Sequence, residues 1–185
     1  RLHGRVTRLF ITPLIRSLQQ QVGPQPLRPF LDSFRYPLAG EFAMVRELAR
    51  INRIPGDWGL EIGVLAEVYR NCALRRICQA DIADAYEHKH QTLSADNAEA
   101  GLLKMCIDIT KSLFRNLASE GVVLSDGQLK TLRATYLQAA SEAIRRYEDD
   151  AAINSLRFDR HEERTAVDAF LKGRKLATDV VLDDP

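Results

Sequence analysis

Where apolar residues cluster along this chain, they mostly repeat at helical spacing. From Val6 to Gln20, Leu9, Phe10, Leu14 and Leu18 recur on a period of about 3.6 residues, which predicts a helix. Pro13 should kink that helix or mark a restart, because it lacks a backbone donor. The Gly23-Pro24-Gln25-Pro26 cluster predicts a loop, with a short helical piece around 27–34 after it. Pro37 biases Tyr36 away from helix, so 36–40 reads as extended and turn-like. Glu41 to Arg50 is expected to return to helix, with Phe42, Val45 and Leu48 along one side. After an irregular connection at 54–59, Ile62, Leu65, Val68 and Tyr69 make 60–71 an amphipathic helix. Its first turn carries Glu61, where the helix dipole favours negative charge. Arg76 to Ala83 alternates and predicts a strand, and Ala85–His90 a second extended segment.

Beyond Gln91 the pattern becomes helical throughout. Ser94 and Asp96 are candidate caps for a long helix whose inward stripe is Leu102, Met105, Cys106, Ile109, Leu113 and Leu117, and which Gly121 ends. Ser125 and Gln128 have the spacing of a capping box. They open a second long helix with Leu129, Leu132, Tyr136, Ala139, Ala143 and Tyr147 on one side. A third runs from about 160 to 172 and is expected to stop at Gly173, leaving a loose tail. The fold class predicted is α+β, mainly α: short strands, then a C-terminal helical hairpin and one further helix. Residues 1–93 form an irregular section that bears the motifs, and 94–185 a helical extension for packing or dimerisation.

Composition narrows the class. With 185 residues, 45% hydrophobic and 28% charged, the chain is long enough for one real core. It contains no run of about 18 apolar residues that could span a bilayer and no signal peptide, so a cytoplasmic protein without membrane contact is expected. The opening at Arg1 rather than Met suggests a piece of a larger protein. Cys72, Cys78 and Cys106 are an odd number without paired spacing, which fits a reducing compartment and small buried side chains. The net charge of +1 hides an asymmetry, because residues 1–53 hold nine arginines against Asp32, Glu41 and Glu47. Arg suits bidentate capture of phosphate or carboxylate better than Lys does. A nucleic-acid surface would need interleaved aromatics that this segment lacks, so small anionic molecules are the expected partners.

Four segments could carry chemistry. Gly4-Arg5-Val6-Thr7 puts a guanidinium and a hydroxyl at a helix start beside free backbone N–H groups, as an anion site requires; the alternative is an exposed Arg and a capping Thr. Pro37-Leu38-Ala39-Gly40-Glu41 offers small residues where a ligand can approach the backbone, or else a tight turn feeding a helix. Glu61, between Gly59 and Gly63, could accept hydrogen bonds from sugar hydroxyls or steady a positive centre; equally it could satisfy its own helix end. His88-x-His90 would face one side of a strand and suit a divalent metal, or lie in a polar surface hairpin. His3 and His161 look isolated. No Gly-rich phosphate loop, Ser-His-Asp arrangement or paired-cysteine zinc motif is present.

In this order, the four segments resemble the C-terminal half of glucosyl-3-phosphoglycerate synthases and the related glucosylglycerate and mannosylglycerate synthases. The resemblance covers roughly residues 2–95. It implies the C-terminal part of a GT-A type fold and a retaining glycosyltransferase that uses a nucleotide sugar and a divalent metal, Mg or Mn. Arg5 and Thr7 would hold the acceptor's phosphate or carboxylate. Leu38, Ala39 and Gly40 would line the donor sugar, with Leu38 offering backbone to the acceptor hydroxyl. Glu61 would bind donor-sugar hydroxyls near the reacting carbon, and His88 would complete the metal shell. Tyr86 stands where the family has Arg, and His90 and Gln91 lie at variable positions, so Tyr86 and His90 bear on which acceptor is taken. The nucleotide-binding half with its paired aspartates is missing, so the chain alone is expected to be inactive, and a homodimer is expected. The alternative is a non-enzymatic assembly module that dimerises through the Leu129/Leu132/Tyr136 stripe.

Overall fold

The computed structural model describes residues 3–23, 26–83 and 91–183. A π-helical turn, Thr7–Ile11, runs into α1 (Thr12–Val22); α2 (Leu27–Asp32), α3 (Arg46–Ile51) and α4 (Leu60–Asn71) follow. After a single 3-10 turn at Leu74–Arg76, three long helices complete the described chain: α5 (Gly101–Ser119), α6 (Asp126–Ile153) and α7 (Arg160–Asp183). No helix among the described residues is long and apolar enough to cross a membrane.

Pro13 does not break the first helix. It lacks the N–H that would bond the Leu9 carbonyl one turn back. That carbonyl instead accepts a hydrogen bond from the Tyr136 hydroxyl of α6 at 2.9 Å, in the fully buried interior. Around this bond Phe10 packs against Tyr136 and Phe170, with ring centroids 6.0 and 5.3 Å apart. One apolar cluster runs from Val6 through Ile62 and Ile109 to Phe170. It draws residues from both sides of position 93, so the motif-bearing section and the long helices share a core.

Several expectations are corrected. No β-strand occurs among the described residues. Ile77 is extended, but a strand exists only when paired, and the described chain offers 76–83 no partner. The expected second extended segment, 85–90, lies outside the described residues. Only Arg46–Ile51 of the predicted 41–50 helix forms, and none of its residues is buried, so Phe42 and Val45 have no core to fix them. Ser94 and Asp96 do not cap α5, which starts at Gly101 with φ 61°, and the Leu102 amide turns back to Thr92 O at 2.9 Å. At Gly173, α7 continues for a further ten residues. A Cβ there would lie 2.9 Å from Cys106 Sγ and Leu103 Cδ1, so this glycine exists for the close approach of α5 and α7. Leu132 and Tyr136, assigned above to a dimer face, are fully buried in the chain's own core. The Ser125/Gln128 capping box and the Gly121 stop (φ 80°) form as the sequence predicts.

Candidate active site

α4 divides the molecule. One side, with Ile62 and Ala66, joins the core, and Tyr69 meets Phe30 of α2 at 5.2 Å between ring centroids. The other side, with Glu61, Val64, Leu65 and Val68, forms one wall of a groove of about 710 Å³. Tyr36, Ala39, Glu41 and Phe42 of segment 34–48 and residues 76–82 complete its lining. The lining is mainly apolar with a few polar groups, as small-ligand sites usually are.

Gly59 and Gly63 set the position of α4. A Cβ on Gly59 would lie 2.6 Å from Ser112 Cβ, and one on Gly63 would lie 2.5 Å from the Pro55 ring. Ser112 also donates to Gly59 O at 3.1 Å. Both glycines therefore let α4 seat against α5 and the 55–57 loop, and Glu61 between them is carried into place by that packing. The turn before the groove has a similar logic. The Ala39 amide bonds to Tyr36 O at 3.1 Å with Pro37 at the second position, where its fixed φ suits a turn.

Glu61 Oε2 is buried and has no hydrogen-bond partner. Burial pushes its carboxyl above the usual range, against a smaller opposing effect of its own backbone N–H. Tyr36 stands beside it. Burial raises the phenol, the nearby Thr7 hydroxyl opposes that rise, and the charges of Glu61 and Glu41 add to it. Thr7 Oγ1, the group beside that phenol, is itself buried. Gly4, at φ 70°, brings its backbone to the same place: a Cβ there would sit 3.7 Å from Tyr36 Cε2. Thr7, Tyr36, Glu61 and Glu41 thus share one neighbourhood, and Tyr36, Glu41 and Glu61 of this set line the groove.

The remaining candidates are placed as follows. Ala39 lines the groove, Gly40 is exposed with open space around it, and the Leu38 side chain is buried in the core. Arg5 does not line the groove. Its Nε donates to Glu163 Oε1 at 3.0 Å and its Nη2 to Glu162 Oε2 at 3.2 Å, both in the first turn of α7. Tyr86, His88 and His90 lie outside the described residues. Among the described residues no group of three or more His, Cys, Asp or Glu could hold a metal ion. Sequence reasoning passed over Tyr36, whose signal was its place just before the Pro37 turn. It also passed over Glu162 and Glu163, for which the only signal was acidic charge at a helix start.

Comparison with known proteins points to the same group of enzymes as the resemblance. No protein-family model matches the chain, and no solved structure does. A glucosyl-3-phosphoglycerate synthase of Persephonella marina is 49% identical over all 185 residues, and one of Methanococcoides burtonii is 45% identical over the same span. The chain is similar to glucosyl-3-phosphoglycerate synthases along its whole length. It spans 46% and 45% of those two relatives, in their C-terminal portion. A third, from Mycolicibacterium paratuberculosis, is 33% identical over 91 residues, which is 49% of the chain and 25% of the relative.

Proposed function

We propose that this chain is the acceptor-side part of a retaining hexosyltransferase that moves glucose from a nucleotide sugar to 3-phosphoglycerate or a similar small anionic acceptor. The observation that carries the reading is Glu61 Oε2, a buried carboxylate oxygen without a hydrogen-bond partner on a residue that lines the groove. Buried polar groups are nearly always satisfied, so an unbonded carboxylate oxygen at a groove is what a hydroxyl-rich ligand would complete. In that low-dielectric setting Glu61 would bind donor-sugar hydroxyls and stabilise positive charge developing at the reacting carbon. Ala39 and Gly40 would allow the sugar close to the backbone, and the Leu38 backbone would meet the acceptor hydroxyl. Among the described residues, none is assigned the base and orienting group that a side-chain nucleophile needs.

The described residues do not by themselves make a metal centre, and no step is assigned to one. A divalent ion, if the enzyme uses Mg or Mn, would take His88 together with ligands from outside these residues. The nucleotide would bind a portion of protein corresponding to the rest of the relatives' length.

The test is sugar transfer by this chain joined to the N-terminal portion of the Persephonella marina relative. Glucosyl transfer from a nucleotide glucose to 3-phosphoglycerate is expected, and Glu61→Gln should lower kcat/KM by about 100-fold or more. Unchanged activity in Glu61→Gln would overturn the assignment. Transfer by the 185-residue chain alone would overturn the view that it holds only part of a site.

A further inference from the structure

We propose that Arg174, with Arg133 beside it at the seam between α6 and α7, forms a binding site for a small oxyanion of the phosphate class. Neither arginine lines the groove, so the inference is independent of the transferase reading.

The packing of the two helices brings these residues to one level. Arg8 meets Tyr147 of α6, lying over its ring at 4.7 Å, and Glu163 of α7 at 3.1 Å. Farther along, Phe10 packs against both Tyr136 and Phe170. The helices are therefore antiparallel, so that α6 runs back from 147 to 136 as α7 advances from 163 to 170. One more turn in the same direction reaches Arg133 on α6 and Arg174 on α7, since residues three or four apart share a helix face. Arg174 is only 5% exposed, whereas Arg133 is exposed. Cys106 and Tyr136, both fully buried, also lie near the Arg174 guanidinium. Burial pushes that thiol and that phenol well up, so both are neutral and neither supplies a counter-charge.

Arg174 Nε and Nη1 are buried and have no hydrogen-bond partner. A buried guanidinium without acceptors is costly, and a second cation nearby adds to the cost. Burial lowers the Arg174 guanidinium from its usual range, and the charge of Arg133 lowers it further. Asp179, farther along α7, attracts it but forms no ion pair with it, and neither arginine joins an ion pair among the described residues. Arg28 is the instructive contrast. It too is fully buried with Nε and Nη1 unbonded, yet its Nη2 donates to Gly23 O and burial alone lowers it. A lone guanidinium of that kind can be completed by ordered water. Two guanidiniums brought to one level without a carboxylate call for negative charge as well. A phosphate-class anion has charge enough to offset both, and oxygens on several sides to accept from Arg174 and Arg133 together. Binding makes and breaks no covalent bond.

The experiment titrates inorganic phosphate into the 185-residue chain by calorimetry, and compares melting temperatures in potassium phosphate and in potassium chloride of equal ionic strength. Saturable binding is expected, with a melting temperature that rises with phosphate, because the anion binds the folded state alone. Arg174→Met should abolish the binding, and Arg133→Gln should weaken it about tenfold. In chloride, Arg174→Met should melt no lower than the parent, since it removes a buried charge that has no counter-ion. A lower value there would mean that the guanidinium already has a partner, and would overturn the site. Absence of binding in the parent also overturns it and leaves Nε and Nη1 to ordered water. Binding by Arg174→Met at the parent's affinity would put the phosphate elsewhere, with the same consequence. Should Arg174→Met not fold, the exposed position decides alone: an unchanged affinity in Arg133→Gln overturns the proposal.

Discussion

The two sides of α4 use apolar residues in opposite ways. On the core side, Leu9, Phe10, Ile109, Leu113, Tyr136 and Phe170 are fully enclosed by one another. On the groove side, Phe42, Val45 and Ile82 remain 49% exposed or more, and α3 buries nothing. The charged residues differ less. Of the nine arginines in residues 1–53, Arg5, Arg8, Arg16, Arg35 and Arg53 each meet a carboxylate of this chain. Part of the basic excess of that segment is therefore paired within the chain, although Arg35 and Arg53 stay largely exposed. Residues 6–22 and the long helices carry the stability of the chain, while the groove rim holds features that the chain itself does not use. Four sets of substitutions test this division.

The largest expected effect is on the core side. Gly173→Val puts methyl groups where even a Cβ would be 2.9 Å from Cys106 Sγ and Leu103 Cδ1. Overpacking of that kind costs about 2–3 kcal/mol, read as a lower urea midpoint at unchanged slope. A helix that absorbs the valine without loss would show that α5 and α7 are less tightly opposed than described. Next is Tyr136→Phe. It removes the donor to Leu9 O and leaves a buried carbonyl that Pro13 cannot serve, at about 1–2 kcal/mol. In the double variant Tyr136→Phe/Pro13→Ala, the alanine N–H can take over that carbonyl, so part of the loss should return.

Those two sites also mark how much was legible in the sequence. Helical periodicity located α1, α4, α5 and α6, and the Ser125/Gln128 spacing named its own hydrogen bonds, because these depend on residues three or four apart. Gly173 carries the local signature of a stop, yet its neighbour across the fold is Cys106. Glycine looks the same in sequence whether it ends a helix or lets two approach. Glu61 could be picked out from its flanking glycines, although those glycines turn out to serve Pro55 and Ser112. Glu163 could not be picked out, since the arginine that gives it meaning lies 158 residues away. Alternation at 76–83 suggested a strand, but alternation reports a repeating pattern of side chains and says nothing about a pairing partner.

The third expected effect crosses from core to groove and has the opposite sign. Glu61→Gln removes a charge whose carboxyl is held above its ordinary range by burial. A raised carboxyl favours the folded state fully while it is protonated, and that advantage disappears as pH rises through its folded-state range. The parent should therefore be less stable than Glu61→Gln at neutral pH by about 1 kcal/mol or less, and the gap should close as pH falls through the carboxyl range. Melting curves of the two proteins across that range check the sign. A gap that widens on acidification would mean that Glu61 is stabilised by a partner, and the groove would lose its unsatisfied carboxylate.

The smallest effect is the sharpest test of the comparison, because the residues involved look like core residues in the sequence. Phe42 and Val45 sit at helical spacing and are 49% and 52% exposed. If the groove rim contributes nothing to the chain's own stability, Phe42→Ser and Val45→Ser should each shift unfolding by no more than about 0.5 kcal/mol, the range of ordinary surface changes. A buried phenylalanine truncated this way would instead cost about 3–5 kcal/mol. The roughly six- to tenfold separation between these outcomes makes a urea titration decisive. A near-zero result would leave two apolar side chains maintained at a groove wall without benefit to folding, and contact with a ligand or with further protein would then be their remaining physical use.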